Sequence, residues 1–311
     1  MSFIVLVTDH AWDSLHREQE ALATVGATLL AATTAEESEL IELAPRADAM
    51  LTCFAPVTAA VVAAAPNLRV IGRYGIGVDN IAVDAATARG IPVTNVPAYC
   101  LDEVAEHVLG LILCLARGIH RYDAAVHRSD WSLGVAAPIH RLVGRTLGIV
   151  GFGKIGRMVA LRGQGLGLHV VACDPRAPDT VFTQAGVERG ELAEVVARSD
   201  FLTLHVPATP ETEGLIDAGL LAAMRPDAYL INTSRGSVVD QHALLQALSS
   251  GRLAGAGLDV FVPERLAPDH PLLGEPSVIA TPHVAFYSEE SLAELASQAA
   301  RNVAEVLAGR R

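Results

Sequence analysis

The chain has 311 residues, of which 51% are hydrophobic, and its formal net charge is −12. This length allows two domains, and the hydrophobic content argues against disorder. The net negative charge, together with the lack of a stripe of basic residues, argues against nucleic acid as a main partner. The N-terminus lacks a basic n-region, the longest apolar run (108–116) is too short for a bilayer, and no cysteine spacing fits a metal site. We therefore expect a cytoplasmic protein without a bound metal or a membrane span.

Short apolar runs alternate with helical stretches through the first 100 residues. Strands are predicted over 3–8, 27–30, 49–52, 70–74 and 92–94, and helices over 12–25, 36–43 and 58–65. Strands that alternate with helices in this way form a parallel sheet covered on both faces. The sequence therefore predicts a small doubly wound α/β domain in this part of the chain.

A long helix is predicted over 101–117. Acidic residues near its start and Arg117-Gly118 at its end agree with the helix dipole and with common stop signals. Its second half, 109–115, is apolar on all sides and must be buried, either inside one chain or between two chains. The helix is a candidate dimer contact, and an ordinary core helix explains the pattern equally well.

A glycine-rich turn follows the strand predicted over 147–150. Gly151, Gly153 and Gly156 have G-x-G-x-x-G spacing, which permits a tight turn, close approach of a pyrophosphate and close packing of the next helix. Asp174 ends the following strand, about 20 residues further on, where a carboxylate can accept hydrogen bonds from ribose hydroxyls. Together these features predict a dinucleotide site.

Polar residues then follow each of the later strands, which are predicted over 201–204, 229–232, 254–258 and 278–280. In open parallel sheets, ligands bind outside the carboxyl ends of the strands, so we expect these residues to converge on one crevice. With the residues inside the glycine turn, the further candidate cofactor contacts are Lys154, Ile155, His205, Thr233, Ser234 and Asp259.

Three residues in these loops have the chemistry that hydride transfer to a carbonyl needs. His283 can supply a proton, Arg235 can hold a carboxylate or polarise a carbonyl, and Glu264 can pair with the histidine. Each residue alone is more often structural or a surface charge. Their positions after successive strands, beside a dinucleotide site, favour a catalytic set.

The chain resembles the D-2-hydroxyacid dehydrogenase family along almost its entire length, in a branch similar to the C-terminal-binding-protein-like dehydrogenases. The motifs that carry the resemblance, in family order, are RYGIGVDN (73–80), NVPAYCLDEVAEH (95–107), GFGKIG (151–156), HVPATPETEGLI (205–216), INTSRGSVVD (231–240), GAGLDVFVPE (255–264) and TPHVAFYSEE (281–290).

The resemblance implies roles for particular residues. Arg235, Glu264 and His283 match the catalytic set of the family, and Asp259 matches the residue that contacts the nicotinamide carboxamide. The loop Gly75-Ile76-Gly77 matches the one whose backbone N–H groups hold the substrate carboxylate.

The resemblance also implies a fold and an activity. The expected fold is two doubly wound parallel-sheet domains, a Rossmann NAD-binding domain over 100–285 and a smaller flavodoxin-like substrate domain over 1–99 plus 286–311. The expected activity is hydride transfer between NAD(H) and a small D-2-hydroxy acid or 2-keto acid, in a homodimer. The substrate stays open among glyoxylate, hydroxypyruvate, phosphorylated and bulkier acids, and phosphite. The alternative is an NAD-dependent, corepressor-like oligomeric binding protein with weak or vestigial activity.

Overall fold

Two parallel sheets contain the named strands of the chain, which the computed structural model describes from residue 2 to residue 310. The chain divides into one unit formed by Met1–Tyr99 with Tyr287–Arg311 and a second unit formed by Cys100–Phe286. Each unit contains one of the two sheets, so the α/β class predicted from alternating apolar and helical stretches is confirmed. Within residues 2–310, no helix combines the length and the apolar character needed to cross a membrane.

The first unit is built on a five-stranded sheet with the order β2-β1-β3-β4-β5. This order is that of flavodoxin-like folds, as the resemblance implies. Its three inner strands are largely buried and its two edge strands are not. The strands are β1 (Ile4–Val7), β2 (Thr28–Ala31), β3 (Ala49–Thr52), β4 (Val70–Arg73) and β5 (Val93–Thr94).

Helices cover both faces of this sheet: α1 (His16–Ala23), α2 (Glu37–Leu43), α3 (Ala59–Ala64), α4 (Val83–Ala88) and the C-terminal helix Glu289–Leu307. Ile71 of β4 belongs to the cluster that contains Val61 of α3. A Cβ atom on the next residue, Gly72, would lie 2.6 Å from Val303 of the C-terminal helix. Because successive strand residues point to opposite faces, these two helices lie on opposite sides of the sheet.

The second unit is built on a seven-stranded sheet with the order β12-β11-β10-β9-β6-β7-β8. The six strands that come first along the chain, β6 to β11, have the doubly wound order of dinucleotide-binding folds. The strand order reverses between β6 and β9. The strands are β6 (Thr146–Val150), β7 (His169–Cys173), β8 (Glu188–Arg189), β9 (Phe201–Leu204), β10 (Tyr229–Asn232), β11 (Gly255–Leu258) and β12 (Val278–Ala280).

Eight helices accompany this sheet in the described chain: α5 (Leu101–Arg117), α6 (Ile119–Val126), α7 (Lys154–Gly165), α8 (Asp179–Ala185), α9 (Leu192–Arg198), α10 (Ala218–Ala223), α11 (Gln241–Ser249) and α12 (Pro271–Gly274). The C-terminal helix of the first unit is α13. Short 3-10 helices occur at Ala44–Arg46, Leu133–Ala136 and Gly236–Val238.

Most of the apolar second half of α5 is buried within its own unit. Leu109, Leu111 and Ile112 are at most 7% exposed, and the helix packs on α7, β10 and β11. Gly257 of β11 allows the close approach, since a Cβ atom there would lie 3.1 Å from Leu111 Cβ. The core-helix explanation is therefore sufficient for this apolar face, and α5 alone gives no reason to expect a second chain.

Candidate functional site

The glycine turn joins β6 to α7 at the point where the strand order reverses. Gly151 has φ +91°, and a Cβ atom there would lie 2.5 Å from the carbonyl oxygen of His205, which follows β9. A Cβ atom on Gly156 would lie 2.3 Å from the carbonyl oxygen of Gly151. Only glycine fits these two positions, because one requires a left-handed backbone and both lie against other backbone atoms.

Gly153 differs from the other two glycines of the turn. It is exposed, and the space that its Cβ atom would occupy is open. Helix α7 begins at the next residue, Lys154, so the N–H groups of its first turn have no partners within the helix. The turn therefore offers an uncovered helix N-terminus, which is suited to a phosphate group.

Asp174, directly after β7, binds the same turn. One carboxylate oxygen accepts a hydrogen bond from the Phe152 N–H at 2.8 Å, and the other accepts from the Arg176 N–H at 2.8 Å. The side chain is half-buried, so each oxygen keeps a lone pair for a further donor. This position agrees with the predicted role of binding ribose hydroxyls.

The loop after β10 carries the predicted residues Thr233, Ser234 and Arg235. Asn232 holds this loop, since its amide nitrogen donates to the Arg235 carbonyl at 2.8 Å and its amide oxygen accepts from the Ser234 N–H and hydroxyl at 3.0 and 2.8 Å. The Thr233 hydroxyl is buried and has no hydrogen-bond partner within the described chain. Asn232 was not predicted as a functional residue, although it ends a buried strand directly before the polar loop.

His205 follows β9 beside the glycine turn, and its Nε2 lies 3.1 Å from the hydroxyl of the fully buried Thr203. Desolvation lowers the pKa of His205 from 6.5 to about 3. The imidazole is therefore neutral near neutral pH. A neutral imidazole can contact a dinucleotide through hydrogen bonds but not through an ion pair.

We expect His205 to make the fold sensitive to acid. Because its folded-state pKa lies below the unfolded value, the unfolded chain binds a proton that the folded chain lacks between pH 6.5 and about 3. The resulting stability is present above pH 6.5 and is lost as the pH falls through this range, by at most about 1.4 kcal/mol per pH unit. Replacement by glutamine should reduce the fall in Tm between pH 7 and pH 5. The control is His127→Gln, at a 76% exposed side chain, and equal falls in Tm for all three proteins would contradict the prediction.

The predicted pair of His283 and Glu264 is brought together within the second unit. His283 Nδ1 lies 2.5 Å from a Glu264 carboxylate oxygen, with the two side chains 22% and 46% exposed. His283 follows β12 and has φ +54°, a left-handed conformation that is uncommon outside glycine. Non-glycine residues held in this backbone conformation cluster at functional sites.

Asp259 follows β11 and is fully buried. Its carboxylate accepts hydrogen bonds from the Thr281 hydroxyl at 2.6 Å and from the N–H groups of Val284 and Ala285 at 2.9 Å each. Asp259 therefore holds the loop that carries His283. Its predicted contact with a nicotinamide carboxamide stays a prediction.

The loop Gly75-Ile76-Gly77 belongs to the first unit, directly after β4. Its N–H groups form no hydrogen bond with residues 2–310, whereas Asn95 binds the Ile76 carbonyl at 2.8 Å. Arg73 is 8% exposed and lies under the loop, with its guanidinium carbon 3.1 Å from the position of a Cβ atom on Gly75. Three available N–H groups over a buried positive charge form a suitable site for an anion. Arg73 was not predicted as a functional residue.

Five predicted residues of the second unit lie at the carboxyl ends of five neighbouring strands of its sheet. Gly151, Asp174, His205, Thr233 and Asp259 come directly after β6, β7, β9, β10 and β11. Lys154 and Ile155 open α7, and Lys154 is exposed. No group of three His, Cys, Asp or Glu side chains able to hold a metal ion occurs in residues 2–310.

Comparison with known proteins gives the family. Residues 109–285 match the model of the D-isomer specific 2-hydroxyacid dehydrogenase, NAD binding domain. The chain is 40% identical over 268 residues to glyoxylate reductase from Korarchaeum cryptofilum, covering 85% of this chain and 81% of that protein. This chain is a member of the D-2-hydroxyacid dehydrogenase family. The resemblance seen in the sequence motifs is thereby confirmed.

Two further members of the family are similar to this chain. D-3-phosphoglycerate dehydrogenase from Mycobacterium leprae is 40% identical over 275 residues, which cover 88% of this chain and 52% of that protein. The chain thus spans about half the length of this relative. The crystal structure of D-lactate dehydrogenase from Aquifex aeolicus, complexed with NAD and lactic acid, has a TM-score of 0.88 at 29% identity, covering 99% of this chain and 96% of that one.

The residues of the second unit fit the NAD that this family uses. Gly153 leaves open space at an uncovered helix N-terminus, where a pyrophosphate would bind. Asp174 keeps accepting capacity for a ribose, and the buried Thr233 hydroxyl lacks a partner in the described chain, as expected of a group that contacts a bound molecule. We infer that these residues would hold the cofactor, which supplies or accepts a hydride when bound.

Proposed function

We propose that the chain is an NAD-dependent oxidoreductase that transfers a hydride between NAD(H) and a small D-2-hydroxy acid or its 2-keto acid. The observation that carries the proposal is the 2.5 Å contact of His283 with Glu264, in the same unit as the glycine turn. The corepressor-like alternative has no support from the matched relatives. The cytoplasmic location stays a prediction.

In this proposal, His283 moves the proton that accompanies the hydride. Its Nδ1–H is donated to Glu264, and we assign the Nε2–H to the protonation of the carbonyl oxygen during reduction. In the reverse direction the neutral Nε2 accepts the hydroxyl proton. Glu264 stabilises the imidazolium form and holds the ring orientation, as a carboxylate partner does in other histidine acid–base pairs.

Each unit contains a proposed ligand for a substrate carboxylate: Arg235 in the second unit, and the N–H groups of the loop Gly75-Ile76-Gly77 in the first unit. A guanidinium can bind a carboxylate through two parallel hydrogen bonds, and loop N–H groups can accept further anionic charge. The buried guanidinium of Arg73 supports this assignment for the loop.

The proposal is tested by NADH oxidation against a panel of 2-keto acids that includes glyoxylate, hydroxypyruvate, pyruvate and a phosphorylated hydroxypyruvate. We expect steady turnover with at least one of them, and the panel ranks substrate size and charge at the same time. The absence of turnover above background with every acid, in a protein that still binds NADH, would reject the enzymatic function.

We expect NADH to be preferred over NADPH because the carboxylate of Asp174 would repel a 2′-phosphate. A like-charge contact costs more than about 1.4 kcal/mol, and each 1.4 kcal/mol corresponds to a factor of ten. The kcat/KM with NADH should therefore exceed that with NADPH at least about tenfold. Asp174→Asn keeps an acceptor for one of the two N–H groups but removes the charge, so it should narrow the preference. Glu194→Gln removes an exposed charge of the same unit and serves as the control. Equal use of both cofactors by the unmodified protein would contradict this assignment.

We also propose a homodimer, with a contact on the segment that follows α5. Trp131 is 79% exposed and Leu133 is 87% exposed, and Ile119 and Val126 of α6 are 51% and 40% exposed. Exposed apolar side chains grouped in one short segment are typical of interaction surfaces. This support replaces the argument from α5, because most of the apolar second half of that helix is buried in its own unit.

Light scattering should give about twice the chain mass of 32.6 kDa. The double variant Trp131→Asp with Leu133→Asp should give a monomer, because two buried charges without partners destabilise an interface strongly. Leu161→Asp changes a 64% exposed leucine elsewhere in the same unit and should remain a dimer. A monomeric unmodified protein, or a dimeric double variant, would contradict the proposed contact.

A further inference from the structure

A chain of hydrogen bonds joins α5 to the loop that carries His283. His107, on α5, has its Nε2 3.0 Å from the Thr281 hydroxyl oxygen. That hydroxyl lies 2.6 Å from one carboxylate oxygen of Asp259, and His107 Nε2 lies 3.8 Å from the same oxygen. The His107 side chain is 22% exposed and that of Asp259 is fully buried, so the contacts lie in the interior of the second unit.

The donors and acceptors in this chain follow from the chemistry of the three groups. A carboxylate can only accept, so the single proton of the Thr281 hydroxyl is donated to Asp259. The hydroxyl oxygen is then the acceptor toward His107, whose Nε2 must carry a proton. Hydrogen bonds are therefore donated from His107 to Thr281 and from Thr281 to Asp259, and the His107 N–H sets the orientation of the hydroxyl.

Asp259 ends this chain at the backbone of the His283 loop. Its carboxylate accepts from the N–H groups of Val284 and Ala285 at 2.9 Å each, and its carbonyl accepts from the His283 N–H at 2.8 Å. The same loop contains the left-handed backbone of His283, at φ +54°. A backbone in that region costs energy and persists where the surrounding contacts determine it.

We propose that His107 and Thr281 are positioning residues that fix the Asp259 carboxylate and thereby hold the His283 loop in its reactive geometry. Neither residue has been assigned a contact with substrate or cofactor, and both act through Asp259. The inference rests on the proposed function for its kinetic consequence, because the geometry matters to turnover only if His283 transfers a proton.

The kinetic test compares variants that break the chain with variants that keep its donors. Thr281→Val removes the hydroxyl at nearly constant shape and should lower kcat by roughly 100-fold, the cost of displacing a reacting group by about 1 Å. His107→Leu removes only the outer donor and should cost roughly tenfold. Thr281→Ser and His107→Gln retain a hydroxyl and an N–H donor, so they should restore most of kcat. The KM for the keto acid should stay unchanged in each case.

A double variant tests whether His107 acts through the hydroxyl. In the Thr281→Val background, adding His107→Leu should cause no further loss, because the acceptor for the His107 N–H is already gone. Thr183→Val, at an exposed threonine of α8 that bonds only within its own helix, is the control and should behave like the unmodified protein. Additive losses in the double variant, or unchanged kcat in Thr281→Val, would overturn the proposal.

A measurement that needs no turnover separates this inference from the proposed function. Hydrogen exchange of the Val284 and Ala285 amides reports directly on the bonds to Asp259. Both amides should exchange faster in Thr281→Val than in Thr281→Ser, with protection of β6 unchanged. If no keto acid is turned over but this exchange difference is present, the proposed function fails and the positioning chain stands. Equal exchange in the two variants overturns the positioning chain whatever the activity.

Discussion

Replacing His283 with alanine should lower kcat for keto-acid reduction by roughly 10²- to 10⁴-fold, the usual contribution of a general acid. The binding of NADH should remain close to that of the unmodified protein, because the glycine turn and Asp174 are unaffected. The loss should appear equally in kcat and in kcat/KM, as expected for an interaction made in the transition state rather than with the bound substrate. Stopped-flow NADH binding and steady-state rates measure the two effects separately.

Glu264 should matter through His283 alone. At 2.5 Å from Nδ1, its carboxylate selects the arrangement in which Nε2 is the atom that transfers the proton. Glu264→Gln keeps an acceptor for the Nδ1–H but lacks the negative charge that stabilises the imidazolium, so kcat should fall less than in His283→Ala. Combining the two substitutions should cost no more than His283→Ala, since the glutamate then has no imidazole to act on.

Two matched variants control this prediction. His242→Ala removes an exposed histidine of α11 that bonds Gln246, and Glu213→Gln removes an exposed carboxylate of the same unit. Both should retain the rate of the unmodified protein. If His283→Ala turned over keto acid at an undiminished rate, another group would be the acid, and the assignment of Glu264 would be wrong as well.

The strands were the most predictable part of the fold. Four predicted ranges, 49–52, 201–204, 229–232 and 278–280, coincide with observed strands. The first three are interior strands, and strands buried on both faces of a parallel sheet are continuous apolar runs, whereas 278–280 is the partly exposed edge strand β12. Helix α5 was likewise predicted with its observed bounds. The two-residue strand β8 was not predicted, since so short a segment has no periodicity from which to recognise it.

The position of α5 shows what an apolar pattern leaves undetermined. A segment that is apolar on all sides must be buried, but the pattern does not indicate whether the covering surface belongs to the same chain or to another. In the structure the cover comes from α7, β10 and β11. The exposed apolar residues lie instead at Trp131 and Leu133, in a loop-rich segment that has no regular pattern.

The candidate site was predictable where residues follow strands and unpredictable where they meet across long separations. His283 and Glu264 could be paired because parallel strands bring their carboxyl ends to one edge of the sheet. His107 and Thr281 are 174 positions apart, and their contact depends on how α5 packs against the sheet. A histidine on a helix carries no sequence signal for such a partner, so this contact became visible only in the structure.

Arg235→Lys should raise the KM for keto acids and lower kcat/KM while NADH binding stays near that of the unmodified protein. The substitution keeps the charge but loses the planar fork that binds a carboxylate through two hydrogen bonds. Losing one charged hydrogen bond costs roughly 1.5–3 kcal/mol, so kcat/KM should fall roughly 10- to 150-fold. The backbone at this position should not move, because Asn232 holds the Arg235 carbonyl at 2.8 Å.

The rigidity of this loop makes the result interpretable. A Cβ atom on the next residue, Gly236, would lie 2.3 Å from the carbonyl group of Phe261, so the chain is packed too closely to shift and bring a lysine into the place of the guanidinium. The control is Arg225→Lys, because the half-exposed Arg225 side chain pairs with Asp200 at 3.2 Å. Asp200 directly precedes β9, whereas His205 follows the other end of that strand. That variant should keep the KM of the unmodified protein. An unchanged KM in Arg235→Lys would show that the keto acid is bound without the fork of Arg235, and would contradict the assignment of Arg235 to the substrate carboxylate.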